Sequence, residues 1–355
     1  MAQLVPSTPG ARRPLAAVAT LLGLALVVTI GAFGGQPTAD PPRPIVTVGL
    51  ALATGDIGDR AFNDSAYAGL QQAQRELGVR FRVTPFRGRG LQADTLRALA
   101  QERPDLVIAI GGDNAPAVAA VAAEYPGQAF AIVDARVDAP NVTSLVFREL
   151  EGDFLAGALT ALLSPDGVVG FLGGADVPVI RRIEHGWRQG VLYVRPDARI
   201  LSQYISGPGD FSGFAQPDRG RELTEALFAQ GAAVVYTPAG GSALGAIEAA
   251  RSTGRLVITT GTDQRWLAPE AVVTSRTKNM DTAVLGLVRE AVRGTLQPGQ
   301  RQLDLFTGGV GLAPLDGVMH NGRLVELVPL AVRARLGEIR DALVARRIPL
   351  TEYTP

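Results

Sequence analysis

The sequence contains no cysteine and only two histidines, His185 and His320. The absence of cysteine excludes disulfides, thiol nucleophiles, cysteine metal sites and the attachment of a lipid through cysteine. Two histidines also argue against a histidine-based zinc site. The sequence therefore predicts neither a metal centre nor a bound cofactor.

An excess of charge of one sign is also lacking, since 34 basic and 34 acidic residues cancel. This balance argues against nucleic acid or an anionic membrane surface as a partner. Of the 355 residues, 46% are hydrophobic and only 19% are charged, which is enough apolar material for one large or two medium cores. We expect two lobes, and small or neutral partners.

The N-terminal segment, residues 1–43, reads as a targeting segment. Arg12 and Arg13 precede a run from Pro14 to Phe33 without a charged residue, and the polar, Pro-rich stretch GGQPTADPPRP follows. This pattern predicts either an export signal or a single membrane anchor. A buried helix of the globular domain is a third alternative, which the Pro-rich linker argues against. With either a signal or an anchor, the rest of the chain lies outside the cytoplasm.

From residue 45 onward, short β-branched apolar runs alternate with stretches rich in Ala and Leu. Such alternation is typical of βαβ units that build a parallel sheet. The pattern restarts at GVVGFLGG (167–174), which predicts a second α/β lobe. The predicted helices lie near 63–77, 91–102, 115–124, 178–191, 219–230 and 242–251.

The segments that follow the predicted strands carry the candidate site, because ligands of open parallel sheets bind outside the carboxyl ends of the strands. These segments are TGDIGD (54–59), GGDN (111–114), DARVD (134–138), GGAD (173–176), PAGGS (238–242) and GTDQ (261–264). They offer no Ser-His-Asp set, no carboxylate pair at an interpretable spacing and no P-loop. Their glycines also suit plain βα turns that need a positive φ. Together the loops favour a binding cleft between lobes over an enzyme.

Longer segments resemble the basic membrane protein family, the nucleoside-binding lipoproteins of ABC transporters. They include GDRAFNDSAYAGLQQAQRELGV (58–79), NVTSLVFRELEGDFLAGALTALLS (141–164) and TDQRWLAPEAVVTSRTKNMDTAV (262–284). The resemblance implies the type I periplasmic-binding fold, with two Rossmann-like, doubly wound lobes, three crossover strands and a hinge. We place the crossovers near 147–149, near 275–276 and near 308–318. The first lobe then comprises 44–147 and 276–318, and the second comprises 148–275 and 319–355.

The resemblance also implies site residues in the first lobe. Asp59-Arg60-Ala61-Phe62-Asn63 matches the family's D-K-S-F-N motif, whose Phe stacks on the base. Phe62 is therefore the stacking candidate and Asn63 an orienting hydrogen-bond group. Without the resemblance, Asn63 suits a helix N-cap and Phe62 a hydrophobic staple equally well.

Further positions are carried over from the family in the same way. Asp134 matches an Asp near the sugar, and Lys278 matches a cleft lysine that donates to the ligand. Gly240 and Gly241 match a glycine pair that lets the ligand approach the backbone. Asp263 is the second Asp of the segment v-D-s-D-Q. An exposed turn Asp and a solvated surface lysine are the alternatives for Asp134 and Lys278.

Two carboxylates of the family pattern are missing, since Ala53 and Gly261 stand where nucleoside binders have Asp. A buried donor of the ligand left without its acceptor costs about 1–3 kcal/mol, so a nucleoside would bind more weakly unless other contacts replace them. Asp56 and Asp113 are possible replacements. An aromatic residue of the second lobe is also missing, because Pro208 occupies its position. Phe211 or Phe214 of the apparent insertion FSGFAQPDRG (211–220) could replace it, although a plain surface loop is the alternative.

The resemblance implies a bacterial, non-catalytic solute-binding protein at the outer face of the membrane, in the periplasm or outside the cell. It would act as a monomer that delivers a small polar, nucleoside-like ligand to an ABC permease. Family members are anchored through a cysteine that this chain lacks, so residues 14–33 would take over the anchoring if they are retained. A membrane-anchored sensor that uses the same cleft without transport is the alternative.

Overall fold

The computed structural model describes residues 45–54, 57, 62–88 and 90–354. The predicted signal or anchor segment, Asp56 and Asp59 lie outside these residues, so their predicted roles stay predictions. Within the described ranges, no helix has the length and apolar character that crossing a membrane requires.

The described chain alternates strands and helices from its beginning, as the sequence predicts. The strands are β1 (Thr47–Ala51), β2 (Arg80–Thr84), β3 (Leu106–Ile110), β4 (Phe130–Val133), β5 (Val142–Phe147), β6 (Val168–Asp176), β7 (Arg199–Pro208), β8 (Val234–Tyr236), β9 (Leu256–Gly261), β10 (Val272–Lys278), β11 (Gly299–Leu303), β12 (Val310–Leu312), β13 (Val318–His320) and β14 (Arg323–Val325). The α-helices are α1 (Phe62–Leu77), α2 (Gln92–Gln101), α3 (Ala115–Glu124), α4 (Glu149–Leu162), α5 (Pro178–Val194), α6 (Pro217–Ala229), α7 (Ala243–Thr253), α8 (Met280–Arg293) and α9 (Leu330–Val344). Short 3₁₀ turns follow β3, β7, β8 and β9, at Gly112–Asn114, Phe211–Ala215, Gly240–Ser242 and Arg265–Leu267.

Twelve of these strands form two six-stranded sheets, and β13 pairs with β14 in a separate hairpin. The first sheet has the order β11-β5-β4-β3-β1-β2 and is parallel throughout. The second has the order β12-β10-β9-β8-β6-β7, in which β12 alone is antiparallel to its neighbour. The strand order reverses between β1 and β3 and between β6 and β8, where doubly wound sheets bind ligands. The predicted α/β fold with two doubly wound lobes is confirmed.

Helices cover both faces of each sheet. In the first lobe, α1 and α8 pack on one face and α2 and α3 on the other. In the second lobe, α4, α5 and α9 pack on one face and α6 and α7 on the other. Both faces being covered explains why β3 (LVIAI) is apolar and buried along its whole length.

Two glycines bring α4 and α5 into unusually close contact. A Cβ atom on Gly157 of α4 would lie 1.9 Å from the carbonyl oxygen of Trp187, and one on Gly190 of α5 would lie 1.9 Å from that of Phe154. No side chain fits at such distances, so the two backbones touch directly. The contact holds the middle of α4, the helix that follows the first crossover, against α5.

The chain crosses between the sheets at Arg148, at Asn279 and over residues 304–309. The sequence placed the second crossing at 275–276 and the third at 308–318, whereas β10 continues to Lys278 and β12 already belongs to the second sheet. The backbone N–H of Arg148 donates to the oxygen of Leu303 (2.8 Å), and that of Asn279 donates to Gly309 (2.9 Å). Backbone hydrogen bonds therefore tie both single-residue crossings to the ends of the third segment.

Candidate ligand-binding site

The carboxyl ends of β1 and β3 form an apolar corner beside Phe62. A Cβ atom on Gly111 would lie 2.9 Å from the Cβ of Ala53 and 3.6 Å from Cε1 of Phe62, so the three residues are neighbours. Asp113, a predicted replacement for the missing carboxylate, accepts hydrogen bonds from the hydroxyl (2.8 Å) and the backbone N–H (3.3 Å) of Thr54. The corner therefore presents the ring of Phe62 beside the small residues Ala53 and Gly111. The carboxylate of Asp113 is already hydrogen-bonded to Thr54.

Asn63 stabilises this corner through a hydrogen bond to its backbone. Its side chain is completely buried, and its Oδ1 accepts a hydrogen bond of 3.0 Å from the backbone N–H of Ala53. The structure thus ties Asn63 to the end of β1 instead of exposing it to a ligand. The sequence predicted a ligand-orienting group here, and the buried position assigns Asn63 a structural role in this conformation.

Lys278 lies at the centre of the site. Its ammonium is 3.0 Å from Oδ2 of Asp134, which follows β4 of the first sheet, and 2.5 Å from Oε1 of Glu149, the first residue of α4. The ring centroids of Phe62 and Phe147 lie 5.6 and 5.5 Å from the same nitrogen, within cation–π range. Because Lys278 ends β10 of the second sheet, it joins both lobes at the hinge.

A buried network continues from Glu149 into the second lobe. Oε2 of Glu149 lies 3.3 Å from Nη1 of Arg276, and Nε of Arg276 lies 2.8 Å from Oδ1 of Asp153. The hydroxyl of Tyr236 donates to the same Asp153 oxygen at 2.7 Å. These residues, with Lys278 and Asp134, form what we call the hinge charge cluster.

The pKa values of the cluster reflect the competition between burial and pairing. Burial alone would raise the pKa of Glu149, but Lys278 and Arg276 outweigh it and lower that pKa to about 2. Burial raises the pKa of Asp153 to about 6, although Arg276 opposes this. Burial likewise raises the pKa of Asp134 against the effect of Lys278. Burial would lower the pKa of Lys278, yet Glu149 and Asp134 raise it. Glu149 and Lys278 are therefore both charged at neutral pH.

A cavity of about 370 Å³ opens beside the hinge charge cluster. Its wall includes Asp134, Phe147, Glu149, Asp153 and Lys278, together with Val179, Arg182 and Ile183 from the first turns of α5 and Glu352 from the C-terminal tail. Its volume suits a small ligand. Among the described residues that line it, Asp134 and Lys278 are the two that the sequence had singled out.

The glycine pair of the second lobe faces an aromatic residue of the apparent insertion. A Cβ atom on Gly240 would lie 3.3 Å from the Cβ of Phe214, and one on Gly241 would lie 3.2 Å from its carbonyl oxygen. Phe214 also packs on Gly174, where a Cβ atom would be 2.5 Å from its ring. Phe211 instead is 64% exposed, with its ring centroid 6.1 Å from that of Phe214. Of the two candidate aromatics, Phe211 is therefore the more exposed, since Phe214 is half-buried.

Asp263 is paired with an arginine of its own loop. Its Oδ2 lies 2.7 Å from Nη2 of Arg265, whose Nε donates to both carboxylate oxygens (2.9 and 3.1 Å). Arg265 also donates to the carbonyl oxygen of Asp316 at 2.9 Å. A ligand that uses Asp263 has to compete with this bidentate pair.

Glu149, Asp153, Tyr236 and Arg276 are members of the site that the sequence reasoning missed. One signal for a charged cluster was available in the sequence. Lys278 is the only lysine in the chain, which marks its surroundings as unusual. Another was the group of carboxylates in the first turns of α4, since Glu149, Glu151 and Asp153 belong to a helix whose remainder is mostly apolar and buried. Charged side chains in such a helix are expected only where they are paired. Within the described residues, no group of three His, Cys, Asp or Glu side chains is arranged to hold a metal ion.

Comparison with known proteins identifies the family. The family described as ABC transporter substrate-binding protein PnrA-like matches residues 45–325. The chain belongs to this family. The resemblance to the basic membrane protein family is thereby confirmed.

Curated relatives agree with this assignment, and solved structures share the fold. An uncharacterised lipoprotein of Pyrococcus abyssi is 28% identical, over 94% of this chain and 87% of its own length. Basic membrane protein A of Borreliella afzelii is 26% identical, over 83% of this chain and 88% of its own. A solute-binding protein of an ABC transporter system from Aeropyrum pernix K1 has a TM-score of 0.72 at 24% identity, covering 87% and 94% of the two chains. A transcriptional activator of the comK gene from Bacillus halodurans has a TM-score of 0.71 at 21% identity, covering 85% and 99%.

Proposed function

We propose that this PnrA-like protein captures a small polar, nucleoside-like ligand between its lobes and delivers it to an ABC permease. The observation that carries the proposal is the position of Lys278. This residue of the second sheet meets Asp134 of the first sheet beside Phe62, at the edge of a cavity near the hinge. A planar ring can stack on Phe62, and hydroxyl groups can donate to Asp134.

The ligand is expected to differ from a purine nucleoside in how its base edge is recognised. Ala53 has a methyl group at the position where the nucleoside-binding members of the family have a carboxylate. The nearby Asp113 is hydrogen-bonded to Thr54. Asp263, the remaining carboxylate of its segment, is bonded to Arg265. Asp134 is then the main carboxylate acceptor for the ligand. We therefore propose a ring-containing polyol whose ring edge needs no carboxylate.

The extracytoplasmic location is part of the proposal. The relative from Pyrococcus abyssi is a lipoprotein, whereas this chain has no cysteine for lipid attachment. We propose that residues 14–33 direct export, and that they hold the protein at the outer face of the membrane if they are retained. Binding as a monomer without catalysis completes the proposal.

A second candidate is a sensor that uses the same cleft without transport. The fold is shared with the transcriptional activator of the comK gene from Bacillus halodurans, so the architecture by itself does not select transport. The two candidates differ in a cellular measurement. Loss of the gene abolishes uptake of the ligand under the transport proposal, whereas it leaves uptake intact and alters a ligand-dependent response under the sensor alternative.

A thermal-shift screen tests the ligand class. Nucleosides, free bases, sugars and polyols are added to the purified protein, because a ligand stabilises it by RT ln(1 + [L]/Kd). We expect a nucleoside-like compound to raise the Tm, and Phe62→Ala and Lys278→Met to remove most of that rise. Phe306→Ala is the matched control, since Phe306 is 79% exposed on the third crossover. The proposed ligand class and site would be wrong if an unrelated class of compound stabilised the protein and both variants responded to it like the control.

A further inference from the structure

In the hinge charge cluster, the carboxylate of Asp134 can accept hydrogen bonds from a ligand, whereas the ammonium of Lys278 is already paired. The ammonium of Lys278 is enclosed by the carboxylates of Asp134 and Glu149 and flanked by the rings of Phe62 and Phe147. Of the two ion pairs, the one to Glu149 is shorter, at 2.5 Å against 3.0 Å. An incoming ligand therefore meets a lysine that is already paired from within the hinge.

The cluster as a whole is short of positive charge. Within it, the carboxylates of Asp134, Glu149 and Asp153 pair with Lys278 and Arg276, which leaves one negative charge in excess when all five are ionised. The side chains are between 2% and 25% exposed, so water and salt screen this excess weakly. An anionic ligand group at this place is repelled, whereas a hydroxyl or N–H donor is accepted by Asp134.

Other arginines of the cavity wall do not change this balance at the cluster. Arg148 lies 2.9 Å from Glu151, a buried carboxylate of the hinge. Arg182 contributes to lowering the pKa of Glu149, but it is exposed to solvent, and the equally exposed Glu352 places the opposite charge on the same wall. The nearest cation to Asp134 is thus the ammonium that Glu149 already holds.

Resting on the function proposed above, we infer that Glu149 is a specificity-determining residue of the cleft. By pairing with Lys278 from the hinge side, it leaves Asp134 as the group presented to the ligand. The cleft then accepts neutral ligands with hydroxyl donors and excludes their phosphorylated or carboxylated counterparts. Glu149 acts through Lys278, so it is a positioning residue. The use of lysine at this one position fits the geometry, because a compact ammonium fits between two carboxylates where the planar fork of arginine does not.

The single lysine provides a direct test. Full-length protein labelled with ¹³C-lysine has one side-chain Cε signal, which reports on Lys278 alone. Inorganic phosphate and sulfate are titrated into the wild type and Glu149→Gln, with sodium chloride at matched ionic strength as the reference. We expect no saturable shift beyond that of chloride in the wild type and a saturable shift in Glu149→Gln. Glu270→Gln, which removes a carboxylate paired with Arg251 on the surface, is the matched control and should behave as the wild type.

A saturable anion shift in the wild type, or none in Glu149→Gln, would overturn the inference. A second arm compares inosine, guanosine and adenosine with their 5′-monophosphates by thermal shift. We expect the wild type to prefer each nucleoside by about tenfold or more, and Glu149→Gln to narrow that ratio. If no nucleoside binds either protein, the proposed ligand class fails, while the anion titration still decides the role of Glu149.

Discussion

At the scale of residues, the informative feature is which of the two residue types, lysine or arginine, occupies position 278. Arginine occupies every Lys or Arg position except 278, where the side chain must reach two carboxylates and pass between two aromatic rings. Guanidinium and ammonium groups differ in shape and hydration, so they are not interchangeable in such a place. The chain thus retains lysine at the position where a compact charge is needed.

Replacing Lys278 by methionine should lower stability as well as binding. The substitution leaves Glu149 and Asp134 facing each other without their shared cation, which costs about 3–5 kcal/mol for a pair that is largely buried. The double variant Lys278→Met/Glu149→Gln should regain more than half of this loss. Urea unfolding measures both effects, with Arg289→Met as the control, because the pair that Arg289 forms with Glu76 is exposed to solvent and contributes little to stability. Equal losses in the single and double variants would contradict the pairing.

Asp153 should give the stability a pH dependence of its own. Its folded pKa of about 6 exceeds the ordinary value of 3.8, so the folded state holds this proton more tightly than the unfolded chain. The associated stability is present below about pH 4 and is lost as the pH rises towards about 6. Asp153→Asn cannot titrate, so the wild type should lose stability relative to the variant between these pH values. Unfolding curves at several pH values check this, with the exposed Asp218→Asn as control. A difference that grows in favour of the wild type as the pH rises would refute it.

At the scale of elements, the hinge depends on how α4 is seated. The first crossing leads directly into α4, whose first residues carry Glu149, Glu151 and Asp153. Glu151 accepts a hydrogen bond of 3.0 Å from the backbone N–H of Leu305 and pairs with Arg346, which also holds Asp304 at 2.8 Å. One helix start is thus bonded to the third crossover and to the end of α9. Movement of the lobes has to occur around this fixed point.

A methyl group between α4 and α5 should damage the fold strongly. Gly157→Ala would place its Cβ 1.9 Å from the carbonyl oxygen of Trp187, which forces the helices apart and costs about 3 kcal/mol or more. Gly286→Ala is the matched control, because nothing lies within 4 Å of its Cβ position in α8. That substitution should stabilise the protein by about 0.5–1 kcal/mol. Chemical denaturation compares the two, and similar effects of both would show that the close helix contact is not required.

At the scale of the whole molecule, alternation of strand and helix was enough to predict two α/β lobes with parallel sheets, and the family resemblance added their doubly wound arrangement. The family resemblance, by contrast, supplied Phe62, Asp134 and Lys278 as site residues, and the structure brings these three side chains together. Other features depend on contacts that a linear pattern does not encode. Asp263 pairs with Arg265 two residues later, and Asn63 turns inward to Ala53.

The crossover positions show the same limit. An antiparallel partner, β12, extends β10 to Lys278 through pairs such as Lys278 with Val310. That pairing is contributed by a segment more than thirty residues away, so the local sequence near 275–276 carries no sign of it. The hinge therefore lies three residues later than the apolar run of β10 suggests. As a result, Lys278 is the last residue of a strand, and its ammonium lies 3.0 Å from Oδ2 of Asp134.

The central claim is that the ligand binds between the lobes at Lys278, and the single lysine signal tests it most directly. Protein labelled with ¹³C-lysine is titrated with the best compound of the thermal-shift screen. The account predicts that the Cε signal of Lys278 shifts saturably, with a Kd equal to that from stabilisation, and that Phe62→Ala weakens both in parallel. A compound that stabilises the protein tightly while the Lys278 signal stays unchanged would place the binding site elsewhere and contradict the account.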